Sequence, residues 1–417
     1  MTKIKNIIGR QVFDSRGFPT VEAEVVLENG IRSKAIVPSG ASTGSYEAVE
    51  LRDIDNKYLK KGVSSAVKNI NTELQRLIGS NVNDQNKIDN QMIDIDGTKN
   101  KSNIGANSIL AVSIASCKAG ALNNKLNLFE HIDKKNNDYC LPYPMLNIIN
   151  GGAHANNTLK IQEFMIRPDG AKNFTECLQI SFLIIQRLKE LLIKKNLSSS
   201  VGDEGGFAPS LDTDDSAIEL ILSAIHNAGF KAGEDVIICL DVASNELYEK
   251  NKYKILDDKL LSSDEMIDFY YNITKKYPIL SIEDPIFEDD WDTWSKLNKK
   301  LGSKIQIVGD DLFVTNINRL KKGVEKKSAN AILIKLNQIG TLTETLETIN
   351  YAKKNNFKTI ISHRSGDTED TFIADLCVAT NSSQIKTGSL ARSERVSKYN
   401  RLIRIEEILN NKKMGRL

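Results

Sequence analysis

Three acidic residues, Asp241, Glu283 and Asp310, each end a short apolar run, and the three runs follow one another along the chain. Carboxylate oxygens, in the absence of cysteine and histidine, are ligands that select Mg²⁺ or Mn²⁺ rather than zinc. A single acid in such a position is more often a helix cap. Three carboxylates brought together repel one another unless a cation lies between them. The pattern therefore predicts a divalent metal site.

Two lysines, Lys335 and Lys386, end two further apolar runs. A lysine that lies beside metal ions and a second ammonium group is expected to have a lowered pKa. A lowered pKa is what a general base near neutral pH requires. A structural ion pair with the acids explains each lysine equally well, so the residues alone leave both interpretations open.

The segment "SHRSG", residues 362–366, follows another apolar run and combines an imidazole, a guanidinium and a hydroxyl group. Arg364 and Ser365 together would clamp a phosphate or a carboxylate, because guanidinium binds such oxyanions through two parallel hydrogen bonds. By itself a His-Arg pair in a loop is usually solvated. On the same face as the three acids, it predicts an anionic substrate that bridges metal and clamp.

Three glycine-containing segments offer further polar groups. "VGDEGGFAP", residues 201–209, includes Glu204, a candidate for a protonated general acid, although from this segment alone a tight turn is the favoured interpretation. "NGGAHANNTLKIQEFM", residues 150–165, supplies His154 and Glu163, a weak signal by itself. "PSGASTG", residues 38–44, lacks the lysine and spacing of a phosphate-binding loop and is either a hydroxyl-bearing lid or an ordinary loop.

The elements that must position these residues follow a strand–helix rhythm. The apolar runs alternate with amphipathic windows, and about 23–28 residues separate successive run ends after the first pair. Such alternation predicts parallel strands with helical crossovers, whose carboxyl ends share the face that carries the active site in an α/β barrel. The chain before this region has a different pattern. Alternating apolar residues predict β structure over residues 1–60, with a hairpin formed by 21–27 and 31–37, and helices are expected near 63–79 and 104–120. We therefore expect domains at 1–135 and 136–417.

Size and composition set the broad class. A length of 417 residues exceeds what one hydrophobic core usually spans, about 250–300 residues, which predicts two domains. A net charge of +2 gives no reason to expect nucleic acid or a membrane surface as the main partner. The five cysteines form no CxxC pair, which favours free thiols in a reducing compartment. No apolar stretch is long enough for a leader or a membrane span, so a cytoplasmic location without membrane insertion is expected.

In combination, the motifs resemble the enolase family over nearly the whole chain. The segments that carry the resemblance occur in the family's order: "DSRGFPTVE", "VPSGASTG", "NIINGGAHA", "QEFM", "VGDEGGFAP", "LDVAS", "SIEDP", "VGDDLFVTN", "IKLNQIGTLTET", "ISHRSGDTEDTFIADL" and "IKTGS". The resemblance implies an α/β protein: a small α+β N-terminal domain carrying a capping loop, then an eight-fold TIM-like barrel of variant ββαα(βα)6 topology. It also implies a hydro-lyase, phosphopyruvate hydratase, that interconverts 2-phosphoglycerate and phosphoenolpyruvate in glycolysis and gluconeogenesis.

The resemblance also implies roles for individual residues. Lys335 would remove the proton from carbon 2, and Glu204, supported by Glu163, would protonate the departing hydroxyl group. Two Mg²⁺ ions would act in turnover, with Asp241, Glu283 and Asp310 holding the tighter ion and Ser42 helping to hold the second. The substrate would contact these metal-binding acids and the surrounding polar side chains: His154, Gln162, Glu163, Glu283, Asp310, Arg364, Ser365 and Lys386. Of these, Arg364 and Ser365 would bind the phosphate and Lys386 the carboxylate.

Assembly and alternative functions complete the expectations. Glu22 and Arg404 match a pair that bridges subunits in family dimers, which implies a homodimer or a higher homo-oligomer. A racemase or cycloisomerase on the same barrel would share the acids and a lysine but lack the phosphate clamp and the "VGDEGG" acid. A scaffold role in an RNA-degradation assembly, or binding at a cell surface, is a third possibility that need not replace catalysis. Asn156 and Lys160 depart from the acids common in bacterial relatives and alter only loop electrostatics.

Overall fold

A computed structural model describes residues 2–40, 44–135, 138–256, 259–410 and 413–417. The chain begins with an antiparallel three-stranded sheet, in which β1 pairs with β2 and β2 with β3. Four helices follow the sheet. The elements of this N-terminal part are β1 Ile4–Phe13, β2 Pro19–Leu27, β3 Arg32–Ile36, α1 Ser64–Asn71, α2 Gln85–Asp96, α3 Ala106–Asn124 and α4 Leu128–Ile132.

Helix α3 is buried along almost its whole length, between the sheet and the other N-terminal helices. Its sequence, ANSILAVSIASCKAGALNN, is rich in alanine, serine and glycine. Small side chains let neighbouring backbones approach closely, so a helix of this composition can be covered on all sides. The same helix also contacts two helices of the second part of the chain, Leu336–Ile339 and Leu342–Lys354, and so it joins the two parts.

The remainder forms a closed eight-stranded barrel in the order β10-β11-β12-β13-β4-β5-β6-β9. Strand β5 runs antiparallel to both β4 and β6, and all other neighbours are parallel. The expected ββαα(βα)6 topology is therefore confirmed. The elements are β4 Tyr143–Asn150, β5 Glu163–Arg167, α5 Phe174–Lys194, α6 Asp214–Asn227, β6 Ile237–Asp241, β7 Tyr248–Glu249, β8 Lys252–Tyr253, α7 Ser263–Lys276, β9 Ile279–Glu283, α8 Trp291–Leu301, β10 Gln306–Gly309, α9 Ile317–Lys326, β11 Ala331–Ile334, α10 Leu336–Ile339, α11 Leu342–Lys354, β12 Lys358–Ser362, α12 Phe372–Ala379, β13 Gln384–Lys386 and α13 Ser393–Leu409.

The strands predicted from apolar runs are all present. Asp241, Glu283 and Lys386 are the last residues of β6, β9 and β13, while Asp310 and Lys335 directly follow β10 and β11. These five strands run in one direction, so their carboxyl ends meet at one mouth of the barrel. The strand order thus brings together residues that lie more than a hundred positions apart.

The helix predicted near residues 63–79 is shorter than expected. Helix α1 ends at Asn71, and a separate 3₁₀ turn covers Glu73–Leu77. The side chain of Asn71 accepts a hydrogen bond from the backbone of Gly9 at 2.8 Å and donates one back at 3.1 Å. This attachment to β1 competes with continuation of the helix, because asparagine side chains offer the backbone an alternative to helical hydrogen bonds.

Other expectations concern single features of the chain. All five cysteines are buried and free, as predicted. Among the described helices, none combines the length and the apolar character that crossing a membrane requires.

A partly buried ion pair links the N-terminal helices to the barrel. Lys118 on α3 donates to both carboxylate oxygens of Asp370, at 2.7 and 2.6 Å, and the backbone N–H of Ile36 at the end of β3 donates to the same carboxylate at 3.1 Å. Burial alone would raise the pKa of Asp370, but the Lys118 ammonium and the hydrogen bonds lower it by more. Charged Asp370 therefore stabilises the contact between the domains.

We expect Asp370→Asn to lower the free energy of unfolding by about 1.5–3 kcal/mol at pH 7, the usual contribution of hydrogen bonds to a charged group. A carboxyl whose folded pKa is depressed contributes stability above its unfolded pKa, about 3.9, and loses it as the pH falls through the folded pKa. The difference from wild type should therefore shrink below about pH 4. Urea denaturation as a function of pH measures it, with Glu369→Gln, at the exposed neighbouring acid, as the matched control. Equal effects of the two substitutions would contradict the assignment.

Candidate active site

A cavity at the carboxyl ends of the barrel strands gathers most of the residues selected from the sequence. Its walls include ten of them: His154, Gln162, Glu163, Glu204, Asp241, Asp310, Lys335, Arg364, Ser365 and Lys386. Glu283 lies directly behind this wall, in contact with Lys386. Ser42 lies outside the described residues. One site therefore contains acids, two lysines, an arginine and a histidine that were separate motifs in the sequence.

Lys386 is the centre of the charged cluster. Its Nζ lies 2.8 Å from Asp241 Oδ2, 2.8 Å from Glu283 Oε1 and 3.2 Å from Glu163 Oε1. The side chain is almost fully buried, and burial alone would lower the pKa of Lys386, but the surrounding carboxylates raise it well above its usual value. Lys386 is therefore held protonated, and it neutralises acids that strand pairing forces together.

Lys335 has a simpler environment. It forms an ion pair with Asp310, whose other oxygen accepts a hydrogen bond from Gln338 at 2.8 Å. Burial alone would lower the pKa of Lys335, but the Asp310 carboxylate raises it by more. Carboxylates are thus the charges that raise the pKa of both lysines. The lowered pKa was predicted for lysines beside metal ions, and it stays a prediction.

Backbone strain beside this ion pair is held by side-chain hydrogen bonds. Val314 and Thr315 have φ values of +43° and +54°, an uncommon conformation for β-branched residues. The Thr315 hydroxyl donates to Gln338 Oε1 at 2.8 Å and accepts from the backbone N–H of Lys335 at 2.9 Å. The loop after β10 thus fixes where Lys335 leaves its strand.

The donor set fits a hard divalent cation. Buried oxygens of Gln162, Glu163 and Glu283 have no hydrogen-bond partner within the described ranges, and such atoms are costly unless something binds them. Two groups of side chains bring ligand atoms within 4.8 Å of one another: His154, Glu163 and Glu204, and Asp284, Asp310 and Asp311. In the described residues, the set predicted from the sequence does not form such a group. Lys386 holds Asp241 and Glu283, whereas Asp310 pairs with Lys335.

Glu163 and Glu204 form a buried carboxyl pair: His154 Nδ1 lies 3.5 Å from Glu163 Oε1 and 3.7 Å from Glu204 Oε2. Burial and the Glu204 carboxylate raise the pKa of Glu163 well above its usual value. Burial would also raise the pKa of Glu204, but His154, His363, Arg395 and Lys386 lower it well below the usual value. Within the pair, Glu163 is therefore the carboxyl whose pKa is raised, and the role of Glu204 as the protonated acid stays a prediction.

Two residues beside this pair were not selected from the sequence. His363 Nε2 lies 3.5 Å from Glu204 Oε1, and its Nδ1 lies 2.5 Å from Arg395 Nη1. Burial lowers the pKa of His363 well below its usual value, so the imidazole is neutral. The "SHRSG" motif contained a signal for His363, since it directly precedes Arg364. Arg395 gave none, because it belongs to the ordinary-looking helix α13.

Asp284 and Asp311 are two more acids that the sequence analysis passed over, although each directly follows a predicted ligand. Asp284 accepts hydrogen bonds from the backbone N–H groups of Asp310 and Asp311, at 2.8 and 2.7 Å. Burial and neighbouring acids raise the pKa of Asp284 well above its usual value and that of Asp311 to about 8. These two residues shape the loop that presents Asp310.

Arg364 and Ser365 each contact a residue of the N-terminal domain. Arg364 Nη1 donates to Glu47 Oε2 at 2.9 Å and to Asn337 Oδ1 at 3.2 Å. Arg16 Nη1 lies 3.5 Å from Ser365 Oγ. The Arg16 guanidinium therefore lies next to the expected phosphate clamp, and the Glu47 carboxylate orients the guanidinium of Arg364.

Comparison with known proteins agrees with this arrangement. The family described as "Enolase, N-terminal domain" matches residues 4–132, and the family described as "Enolase, C-terminal TIM barrel domain" matches residues 138–415. An enolase from Pelagibacter ubique (strain HTCC1062) is 59% identical over 414 residues, which cover 99% of this chain and 98% of that protein. From its two domains, its barrel and this overall similarity, the chain belongs to the enolase family of hydro-lyases.

Proposed function

We propose that this chain catalyses the reversible, Mg²⁺-dependent dehydration of 2-phosphoglycerate to phosphoenolpyruvate, with two Mg²⁺ ions per active site during turnover. The observation that carries the proposal is the joint presence, at one barrel mouth, of two lysines, a pair of buried glutamates and a buried arginine next to a serine. A racemase or cycloisomerase needs neither the clamp nor the carboxyl pair. We place the reaction in the cytoplasm and the domain boundary at residues 135–136, between the two matched family regions.

Lys335 is the proposed base for the carbon-2 proton. Lys386 pairs with three carboxylates, whereas the one ion pair of Lys335 within the described residues is with Asp310. An amine with fewer carboxylate neighbours loses its proton more readily. Lys386 is better suited to bind the substrate carboxylate as a fixed positive charge, together with Gln162 and His154 at the same mouth. The two lysines thus differ in role because they differ in environment.

Asp241, Glu283 and Asp310 would hold the tighter ion, and Ser42 would contribute to the second. Mg²⁺ bound by these acids would stabilise the charge on the enediolate and, by engaging Asp310, favour the neutral amine of Lys335. The carboxyl pair of Glu163 and Glu204 supplies the proton for the departing hydroxyl group of carbon 3. Arg364 and Ser365 bind the phosphate, which fixes the carbon skeleton between base and acid.

If Asp310 binds Mg²⁺ directly, Asp310→Ala should weaken Mg²⁺ binding strongly. Loss of a residue that only supports a metal ligand weakens binding by roughly 10–100-fold, and loss of Asp310 should weaken it by more. Isothermal titration of the chelated protein with MgCl₂ measures this without reference to turnover. Asp292→Ala, on the exposed face of α8, is the control for removal of one carboxylate. Unchanged Mg²⁺ affinity in Asp310→Ala would remove this residue from the metal site.

We also propose a homodimer in which Glu22 of one subunit meets Arg404 of the other. Glu22 is 6% exposed and pairs within its own chain with Arg10 at 3.0 Å and Lys34 at 3.4 Å, whereas Arg404 is exposed. A partly exposed pair contributes only about 0–1 kcal/mol, so Glu22→Leu should loosen the dimer without unfolding the chain. Sedimentation velocity measures the effect, with Glu325→Leu on α9 as the control. A wild type that is monomeric at micromolar concentration would refute the premise.

The roles of base and acid predict different partial reactions. Lys335→Ala and Glu204→Gln should both nearly abolish dehydration, since each positioned acid or base contributes about 10²–10⁴-fold. Lys335→Ala should also lose exchange of the carbon-2 hydrogen with heavy water. Glu204→Gln should retain some exchange, because its base remains while departure of the hydroxyl group stalls.

Nuclear magnetic resonance of 2-phosphoglycerate in heavy water follows this exchange directly. Lys386→Ala is the matched control for loss of an ammonium group at the same barrel mouth. If Lys335→Ala still exchanged the carbon-2 hydrogen while Lys386→Ala did not, the roles of the two lysines would be reversed.

A further inference from the structure

A cleft of about 580 Å³ lies on the face of the barrel opposite the active site. It is bordered by the end of α11, the start of β12, the segment before β13 and the C-terminal residues 413–416. We call it the tail cleft, and the polar groups that matter to the argument are Asn356, Ser383 and four basic residues, Lys353, Lys358, Lys413 and Arg416. Nothing in the proposed reaction uses this face.

The C-terminal segment is attached to the barrel and forms one wall of the tail cleft. The backbone N–H of Leu141 donates to Lys413 O at 2.9 Å, and that of Gly415 donates to Leu141 O at 2.8 Å. A Cβ atom at Gly415 would lie only 2.7 Å from the side chain of Ser383. The segment is thus seated closely against the barrel, which places Arg416 at the rim of the cleft.

The charges of the tail cleft are unbalanced. Lys413 pairs with Asp138 at 2.6 Å, and Asp138 is the one acid among the described residues of the lining. Within the described ranges, Lys353, Lys358 and Arg416 form no ion pair. Like charges in one cleft oppose one another, and a bound anion removes this repulsion.

The neutral groups of the cleft also suit an anion. Ser383 is 8% exposed, and its hydroxyl has no hydrogen-bond partner among the described residues. The Asn356 side chain is likewise unpartnered in the described part of the chain. Hydroxyl and amide groups can donate to the oxygens of an anion beside ammonium and guanidinium groups.

We propose that the tail cleft binds the polyphosphate group of a small anion. Three unpaired cations match an anion of several negative charges, and guanidinium and ammonium groups are the usual partners of phosphate oxygens. A volume of about 580 Å³ is within the range of small-molecule sites and exceeds what a single phosphate fills. Inorganic polyphosphate and the phosphates of a nucleotide share this chemistry.

Isothermal titration with inorganic tripolyphosphate in magnesium-free buffer tests the proposal. Lys353→Gln and Lys358→Gln should each weaken binding by about tenfold or more, because each removes a charge-assisted hydrogen bond. Lys354→Gln is the matched control, since Lys354 is the adjacent exposed lysine of α11 and does not line the cleft. Arg364→Gln separates this binding from occupation of the active site by the same probe.

Loss of affinity in both cleft variants, with wild-type affinity in Lys354→Gln and Arg364→Gln, would support the proposal. Three results would overturn the proposal. An equal loss of affinity in Lys354→Gln would show unspecific attraction to surface lysines, and a loss of affinity in Arg364→Gln alone would assign the probe to the active site. The third is that wild type does not bind tripolyphosphate. The dehydration rate of Lys353→Gln should equal that of wild type, which controls for folding. Adenosine triphosphate, titrated in parallel, should depend on the same two lysines, and dependence on neither would also overturn the proposal.

Discussion

The balance of buried charge at the barrel mouth is the constraint on which the rest of the site depends. Register pairs Asp241 with Glu283 on neighbouring strands and Glu163 with Asp241, so three carboxylates are adjacent whatever their side-chain conformations. Buried charges of one sign are stable only when counter-charges and hydrogen bonds compensate them. Lys386, from β13, supplies that compensation. Charge balance in the fold therefore requires a lysine at the barrel mouth, where the proposed reaction also uses one.

The N-terminal domain contributes charged side chains to the site in addition to covering it. Glu47 holds Arg364, and Arg16 approaches Ser365, so the clamp expected to bind phosphate includes groups from both domains. Gly40 lies against the Arg364 guanidinium so closely that a Cβ atom there would overlap it, at 1.9 Å. Contact between the domains is consequently part of the site, because displacement of the N-terminal segments would leave the arginine without its carboxylate partner.

Sequence patterns predicted the strand ends well, because a barrel strand is a short apolar run and its last residue faces the mouth. Lys335 and Asp310 were found in this way. The neighbours that hold them in position were not, since Gln338 and Thr315 act through hydrogen bonds formed only after the loops fold. Arg395 shows the same limit: its helix has no motif, yet its guanidinium helps to keep Glu204 ionised. Which carboxyl of a pair carries the proton depends on such three-dimensional neighbours.

Several non-glycine residues with positive φ lie in the loops that follow the barrel strands β6, β9 and β10. Ala243, Asp284, Val314 and Thr315 all have φ values between +39° and +54°, a conformation that costs energy for residues other than glycine. Each lies within five residues of a proposed metal ligand. Hydrogen bonds from the backbone of the next loop to Asp284, and from Lys335 to Thr315, hold two of these positions in place. The same hydrogen bonds that hold these strained residues therefore also fix where Asp310 and Lys335 leave their strands, so a change in either loop shifts both side chains.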